Sequence, residues 1–256
     1  MKRKNVSLWV SISLVSCLIV LSGCAALLKS PVDKQKAKIH LQMAVDYLQR
    51  REYSQAIEQT HKALKMDPEY PSAYNHLALI YMETKRYERA EKAFQKALAL
   101  KPKYPEVLNN LGVLMNRQEK YQEAEAYFRR ALTDESYSTP ENAHTNLGYA
   151  FYKEGKLKQA KQEHQKALDI MPNFCLGNKN LGDVYAKERN YSRAEENYKR
   201  AVTNCPLFQE AQYKLGLVLM KMGRKKVARA ELERLVERHK RGPYVRRSNE
   251  VLKYLQ

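Results

Sequence analysis

From residue 37 onward, apolar and small residues return with a period of about 34, the spacing of two short amphipathic helices and a turn. Residues 71–104, PSAYNHLALIYMETKRYERAEKAFQKALALKPKY, show the unit. Tyr74, Leu77, Ala78 and Tyr81 recur about one turn apart and predict a first helix with one apolar face. Ala90, Phe94 and Ala97 set small residues around a large one and predict a second helix packed closely on the first. Pro102 closes the unit, because proline cannot continue a helix. The small residue of the first helix recurs as Ala44, Ala78, Gly112, Gly148, Gly182 and Gly216. The alanine of the second recurs as Ala56, Ala90, Ala124, Ala160, Ala194 and Ala228, and the closing proline as Pro68, Pro102, Pro172 and Pro206. One such pair cannot bury its apolar face alone, so the copies must stack.

This pattern resembles the tetratricopeptide (TPR) repeat. The resemblance implies an all-α fold, a right-handed superhelical solenoid. Six repeats are expected at 37–70, 71–104, 105–140, 141–174, 175–208 and 209–242. The third is slightly long, and its extra residues fall at 134–140, between helices. Residues 243–256 read as a capping helix, with Tyr244, Val251, Leu252 and Leu255 on one face and Arg246, Arg247, Glu250 and Lys253 on the other.

The start of the chain has a different pattern. Lys2, Arg3 and Lys4 precede an apolar run over residues 6–21, broken by Ser7, Ser11, Ser13 and Ser16. The run is short for a membrane span and ends in Leu21-Ser22-Gly23-Cys24. That ending resembles the lipobox of bacterial lipoproteins. The resemblance implies a signal peptide over 1–23, acylation of Cys24 and a lipidated tether over 24–36. Ala25 and Ala26 follow the cysteine with no aspartate, which by the usual sorting rule implies the outer membrane, lipid-anchored and facing the periplasm.

The cysteines fit such a compartment. Cys17 lies in the segment to be removed, which leaves Cys175 and Cys205 beyond Cys24. Cys175 opens the first helix of the fifth repeat, and Cys205 follows the end of its second. Antiparallel helices bring these positions to one end of the pair, within the ~4.4–6.8 Å a disulfide spans, so a Cys175–Cys205 bridge is expected.

The formal charge of +18 falls to +15 when Lys2, Arg3 and Lys4 leave. The most basic stretch is 221–247. In an envelope compartment it reads as a solvated face or as a contact for lipid head groups or cell-wall polymers, and no nucleic-acid partner is expected. There is no Gly-rich phosphate loop, nucleophile elbow or pair of histidines at metal-ligand spacing. His40 and His144 occupy a packing position, His76 faces the groove, and His61 and His164 lie on second helices. A non-enzymatic chain without metal or cofactor is therefore expected.

In this fold the first helices line a concave face, at roughly the second, fifth, sixth, ninth and twelfth positions of each repeat. That register selects Leu41, Val45, Leu48, Asn75, Leu79, Met82, Asn110, Val113, Asn146 and Tyr149 as the expected partner-binding groove. Its N-terminal part is apolar, which suits a partner strand or helix, packing against the neighbouring repeat, or the tether folded into the groove. Asn110, Asn146 and Asn180 recur at one position, where their amides can grip an extended backbone or satisfy local groups.

The lipobox, six repeats, a cysteine pair in the fifth, and a basic last repeat with a cap together resemble the type IV pilus pilotins, the PilF, PilW and Tgl group. The fourth-repeat entry, ALTDESYSTPENAHTNLGYAFYKEGKLKQA, is similar to that family's lengthened junction. The resemblance implies a monomeric outer-membrane lipoprotein whose N-terminal repeats bind a protomer of the pilus secretin, the ring-shaped pilus channel, and promote its insertion and oligomerisation. The strong positive charge departs from that family. A general envelope scaffold, for outer-membrane protein assembly, cell-wall enzymes or polysaccharide export, is the alternative.

Overall fold

Proline starts many of the helices. Its fixed φ suits the first helical turn, and its missing N–H would have had no partner there. In the computed structural model, which describes residues 30–255, helices α1 (Pro31–Gln49), α3 (Pro71–Glu83), α5 (Pro105–Arg117), α7 (Pro140–Lys153) and α13 (Pro243–Lys253) all open this way. The other helices are α2 (Tyr53–Met66), α4 (Tyr87–Leu100), α6 (Tyr121–Leu132), α8 (Leu157–Ile170), α9 (Cys175–Lys187), α10 (Tyr191–Asn204), α11 (Gln209–Lys221) and α12 (Lys225–Arg238). These are six antiparallel pairs and a final helix, with no strand among the described residues.

The chain divides into two compact units, the first ending at Pro102 and the second beginning at Lys103. In the first, α1 packs on α2 and α3, and α3 on α4. In the second, each of α5 to α12 packs on the next, and α7 also touches α5 and α9. The signal segment and Cys24 lie outside the described residues.

Within a pair, the small residue of the first helix lets a large side chain of the second lie across it. A Cβ at Gly148 would stand 2.6 Å from the His164 ring, and one at Gly182 2.7 Å from the Tyr198 ring. Phe128 fills the same place over Gly112, and Leu232 over Gly216. Ala56, Ala90, Ala124, Ala160, Ala194 and Ala228 are fully buried, as the close approach of the helices requires.

The turn after each first helix needs a left-handed residue. Arg51, Lys85, Glu119 and Arg189 adopt φ of 62°, 58°, 62° and 60°, and glycine takes the place at Gly155 and Gly223. An L-residue with a Cβ is strained there.

One expectation is corrected. Residues 31–36, read as part of a tether, form the first turns of α1. The Ser30 hydroxyl accepts the Asp33 N–H at 3.1 Å, Pro31 presets the turn, and Asp33 favours the positive end of the helix. These start signals outweigh the polar composition that suggested a linker.

Candidate protein-docking surfaces

The first-helix register separates into buried and open positions. The fifth position, expected in the groove, is buried as Leu41, Asn75, Asn109, Thr145 and Lys179. Leu41 packs against Ala37, Ala63 and Ala73, so it belongs to the core of the first unit rather than to a binding face. Met82 and Asn75 are buried as well. Val45, Leu48, Leu79, Asn110, Val113 and Asn146 are half-buried, and Tyr149 is exposed. The apolar N-terminal groove is therefore narrower than the sequence suggested, with Val45, Leu48 and Leu79 remaining in the first unit.

Part of the asparagine row is occupied with cross-links between repeats. Asn146 Nδ2 donates to Asn109 Oδ1 at 3.0 Å, and Asn116 Nδ2 donates to the Asn146 carbonyl at 3.2 Å. These bonds stitch α7 to α5. Asn180 is buried.

A second surface appears at the first helix. The third and seventh positions of later repeats are all buried: Ala73 and Leu77, Val107 and Leu111, Ala143 and Leu147, Gly177 and Leu181, Ala211 and Leu215. In the first repeat the same positions are Ile39, 53% exposed, and Met43, 38% exposed. Val32, 60% exposed, lies one heptad before Ile39 on the same stripe. Among the described residues no helix precedes α1 to cover this apolar stripe.

The most elaborate surface is a groove of about 710 Å³ lined by α9, α11 and α13, with Tyr152 of α7 and Tyr191 and Tyr198 of α10. Its floor is an ionic cluster. Asp183 Oδ1 accepts from the Tyr198 hydroxyl at 2.6 Å and from Lys214 Nζ at 2.8 Å. Lys179 Nζ stands 3.4 Å from Asp183 Oδ2 and 3.2 Å from Glu210 Oε1. Two carboxylates and two ammonium groups thus bridge α9 and α11 with no net charge. Burial, and then the Asp183 carboxylate, push the Tyr198 phenol far up, so it donates at every relevant pH. Burial disfavours the charge on Lys214, but Asp183 and Glu210 outweigh it and raise its pKa above the usual lysine range. Burial also raises the Tyr152 and Tyr244 phenols.

Aromatic rings form the walls. Tyr213 and Tyr244 lie 5.6 Å apart between centroids, Lys187 Nζ sits 4.6 Å from the Tyr152 ring centroid, and the Arg247 guanidinium 5.4 Å from that of Tyr244. Arg247, read from sequence as solvent-facing, lines this groove. Sequence reasoning stopped the register at the fourth repeat. Carried on through the last two repeats, it selects Asp183, Ala186, Glu210, Tyr213, Lys214 and Leu217, which line the groove, together with Leu176, Lys179, Asn180 and Met220, which do not.

Much of the basic stretch is occupied elsewhere. Arg224 Nη1 bonds both Glu195 oxygens at 2.7 and 2.8 Å, Arg229 pairs with Glu233 at 2.8 Å, and Arg238 donates to the Pro206 carbonyl at 2.8 Å. Cys175 and Cys205 are joined, with Cα atoms 6.1 Å apart, and the bridge ties the start of α9 to the end of α10.

The histidines divide by environment. His144 Nδ1 meets Glu163 Oε2 at 2.7 Å, and His40 Nδ1 meets Gln59 Oε1 at 2.9 Å, the same contact in two repeats. Burial raises the Glu163 carboxyl, but the bonds from His144 and Lys166 outweigh it and hold the pKa below the usual range. His164 is almost wholly enclosed, with neither ring nitrogen bonded. Burial, reinforced by Lys179, lowers its pKa from 6.5 to about 3, so the ring is a neutral packing residue.

Six antiparallel helix pairs and a final helix among the described residues, with glycine under a large side chain at Gly112, Gly148, Gly182 and Gly216, define a tetratricopeptide-repeat protein. The model of the cilia and flagella-associated protein 70 C-terminal domain matches residues 24–214, and the chain belongs to that repeat family. A tetratricopeptide-repeat model also matches residues 210–241. Among solved structures, the chain is similar to PilW, a widely conserved type IV pilus biogenesis factor, at 26% identity and a TM-score of 0.73, over 82% of this chain and 96% of that one. It is similar in fold to Pseudomonas aeruginosa pilF at 23% identity and a TM-score of 0.71, over 85% and 98% of the two chains. The fold also recurs in the Cut9–Hcn1 hetero-tetramer of the APC/C, at 18% identity and a TM-score of 0.74, over 86% of this chain and 43% of that one. No curated protein matches.

Proposed function

We propose that this chain is an outer-membrane lipoprotein that serves as a non-enzymatic scaffold in type IV pilus biogenesis, a pilotin for the pilus secretin. The observation that supports this most is the likeness to PilW over 82% of the chain. In this reading Cys24 carries the acyl chains, and each buried CH₂ contributes about 0.8 kcal/mol to anchorage. The solenoid is thereby held at the membrane where the secretin must insert. A protomer captured there is protected from aggregation and is raised in local concentration.

The first unit supplies the capture surface. Ile39 and Met43 present an apolar stripe on α1, and Val45 and Leu79 add half-buried apolar positions. Leu41 is unsuitable for a test, because a charge there would disrupt the core against Ala63 and Ala73. The test uses the Ile39→Glu/Met43→Glu and Val45→Glu/Leu79→Glu pairs, with co-purification of the secretin protomer as the readout. Loss of capture by one pair, at unchanged helix content, supports the reading and assigns the face. Full capture by both pairs refutes the first unit as the binding surface.

A further inference from the structure

The groove over α9, α11 and α13 carries charge that the ion pairs of the described residues do not balance. Its two carboxylates, Asp183 and Glu210, are committed to Lys179 and Lys214. Three more cations line it: Lys187, Lys221 and Arg247. All three are exposed, and none has a carboxylate partner in the ion pairs of the described residues. Lys187 and Arg247 rest on tyrosine faces, and Lys187 Nζ also donates to the Tyr152 carbonyl at 3.4 Å; an ammonium has three N–H donors and a guanidinium five, so both keep donors for a further acceptor.

We propose that this groove binds an acidic peptide segment of a partner protein. Its carboxylates meet Lys187, Lys221 and Arg247, and an apolar or aromatic side chain enters between Tyr152, Tyr213 and Leu217. The volume of about 710 Å³ is in the range of sites that enclose a ligand. A flat layer of lipid head groups could reach the rim cations but would leave the tyrosine walls unused. A second copy of this chain is a poor occupant, because the sequence is strongly basic and its longest acidic runs are the pairs Asp134-Glu135 and Glu195-Glu196. The inference concerns the second unit and does not depend on secretin capture by the first.

The test is selection of a random dodecapeptide phage library on the immobilised full chain. The counter-target is the Lys187→Gln/Lys221→Gln/Arg247→Gln variant, whose three sites are exposed and whose fold is checked by circular dichroism. The recovered sequences are expected to be rich in Asp and Glu and to carry an aromatic or large apolar residue. A labelled synthetic copy of the most enriched sequence should bind the variant about tenfold or more weakly and should release as salt rises. The proposal is overturned if no peptides are recovered, if they lack acidic enrichment, or if their binding is unchanged in the variant. Phosphatidylglycerol vesicles are run in parallel. Vesicle binding that the variant loses, without acidic-peptide recovery, assigns the cations to a lipid surface and also overturns the proposal.

Discussion

His164 shows how one repeat position can carry different chemistry. Its place over Gly148 is taken by Phe128 over Gly112 and by Tyr198 over Gly182. Between pH 6.5 and about 3 the unfolded chain binds a proton that the folded ring does not. Stability is therefore fully present above pH 6.5 and falls as pH drops below it, by up to ~1.4 kcal/mol per pH unit for this one group. Denaturant titrations from pH 7 to pH 4 should show that slope reduced in His164→Phe, which keeps the packing and removes the titration. An equal slope in both proteins would remove His164 as its source. The left-handed turn residues allow a paired test. Glu119→Gly should raise stability by up to about 1 kcal/mol and Gly155→Ala should lower it by a similar amount, as read from thermal melts. No change in either would show that the turns relax without cost.

At the level of the helices, the Cys175–Cys205 bridge closes a 30-residue separation within one pair. Loss of such a bridge should cost about 3–4 kcal/mol. Because repeats are stabilised through their neighbours, the loss should be local. Hydrogen exchange after Cys175→Ser/Cys205→Ser should therefore show α9 and α10 losing protection before α5 and α6. Uniform loss across the second unit would show instead that it unfolds as one block.

The helix pairs were legible in the sequence because their spacing depends on residues whose size alone matters, such as Ala90 beside Phe94. The fifth position was not legible in this way. In the first five repeats it holds Leu41, Asn75, Asn109, Thr145 and Lys179, too mixed a set for composition to reveal burial, which comes from how neighbouring helices cross. The groove of the second unit was within reach of the same register. Its ionic floor was not, since Lys179 and Glu210 lie on different helices, and only the packed structure shows them 3.2 Å apart.

Across the whole molecule, the two units present different surfaces. The first offers apolar side chains close in sequence to Cys24, and the second a cationic, tyrosine-walled groove fastened by a disulfide. In the proposed function the chain promotes assembly of the pilus secretin at the outer membrane. The most direct measurement is the amount of heat-resistant secretin multimer in outer membranes with and without this protein. Multimers are expected to disappear in its absence while secretin monomer is still made, and to return with the native chain but not with Cys24→Ala. Unchanged multimers in its absence would contradict the claim.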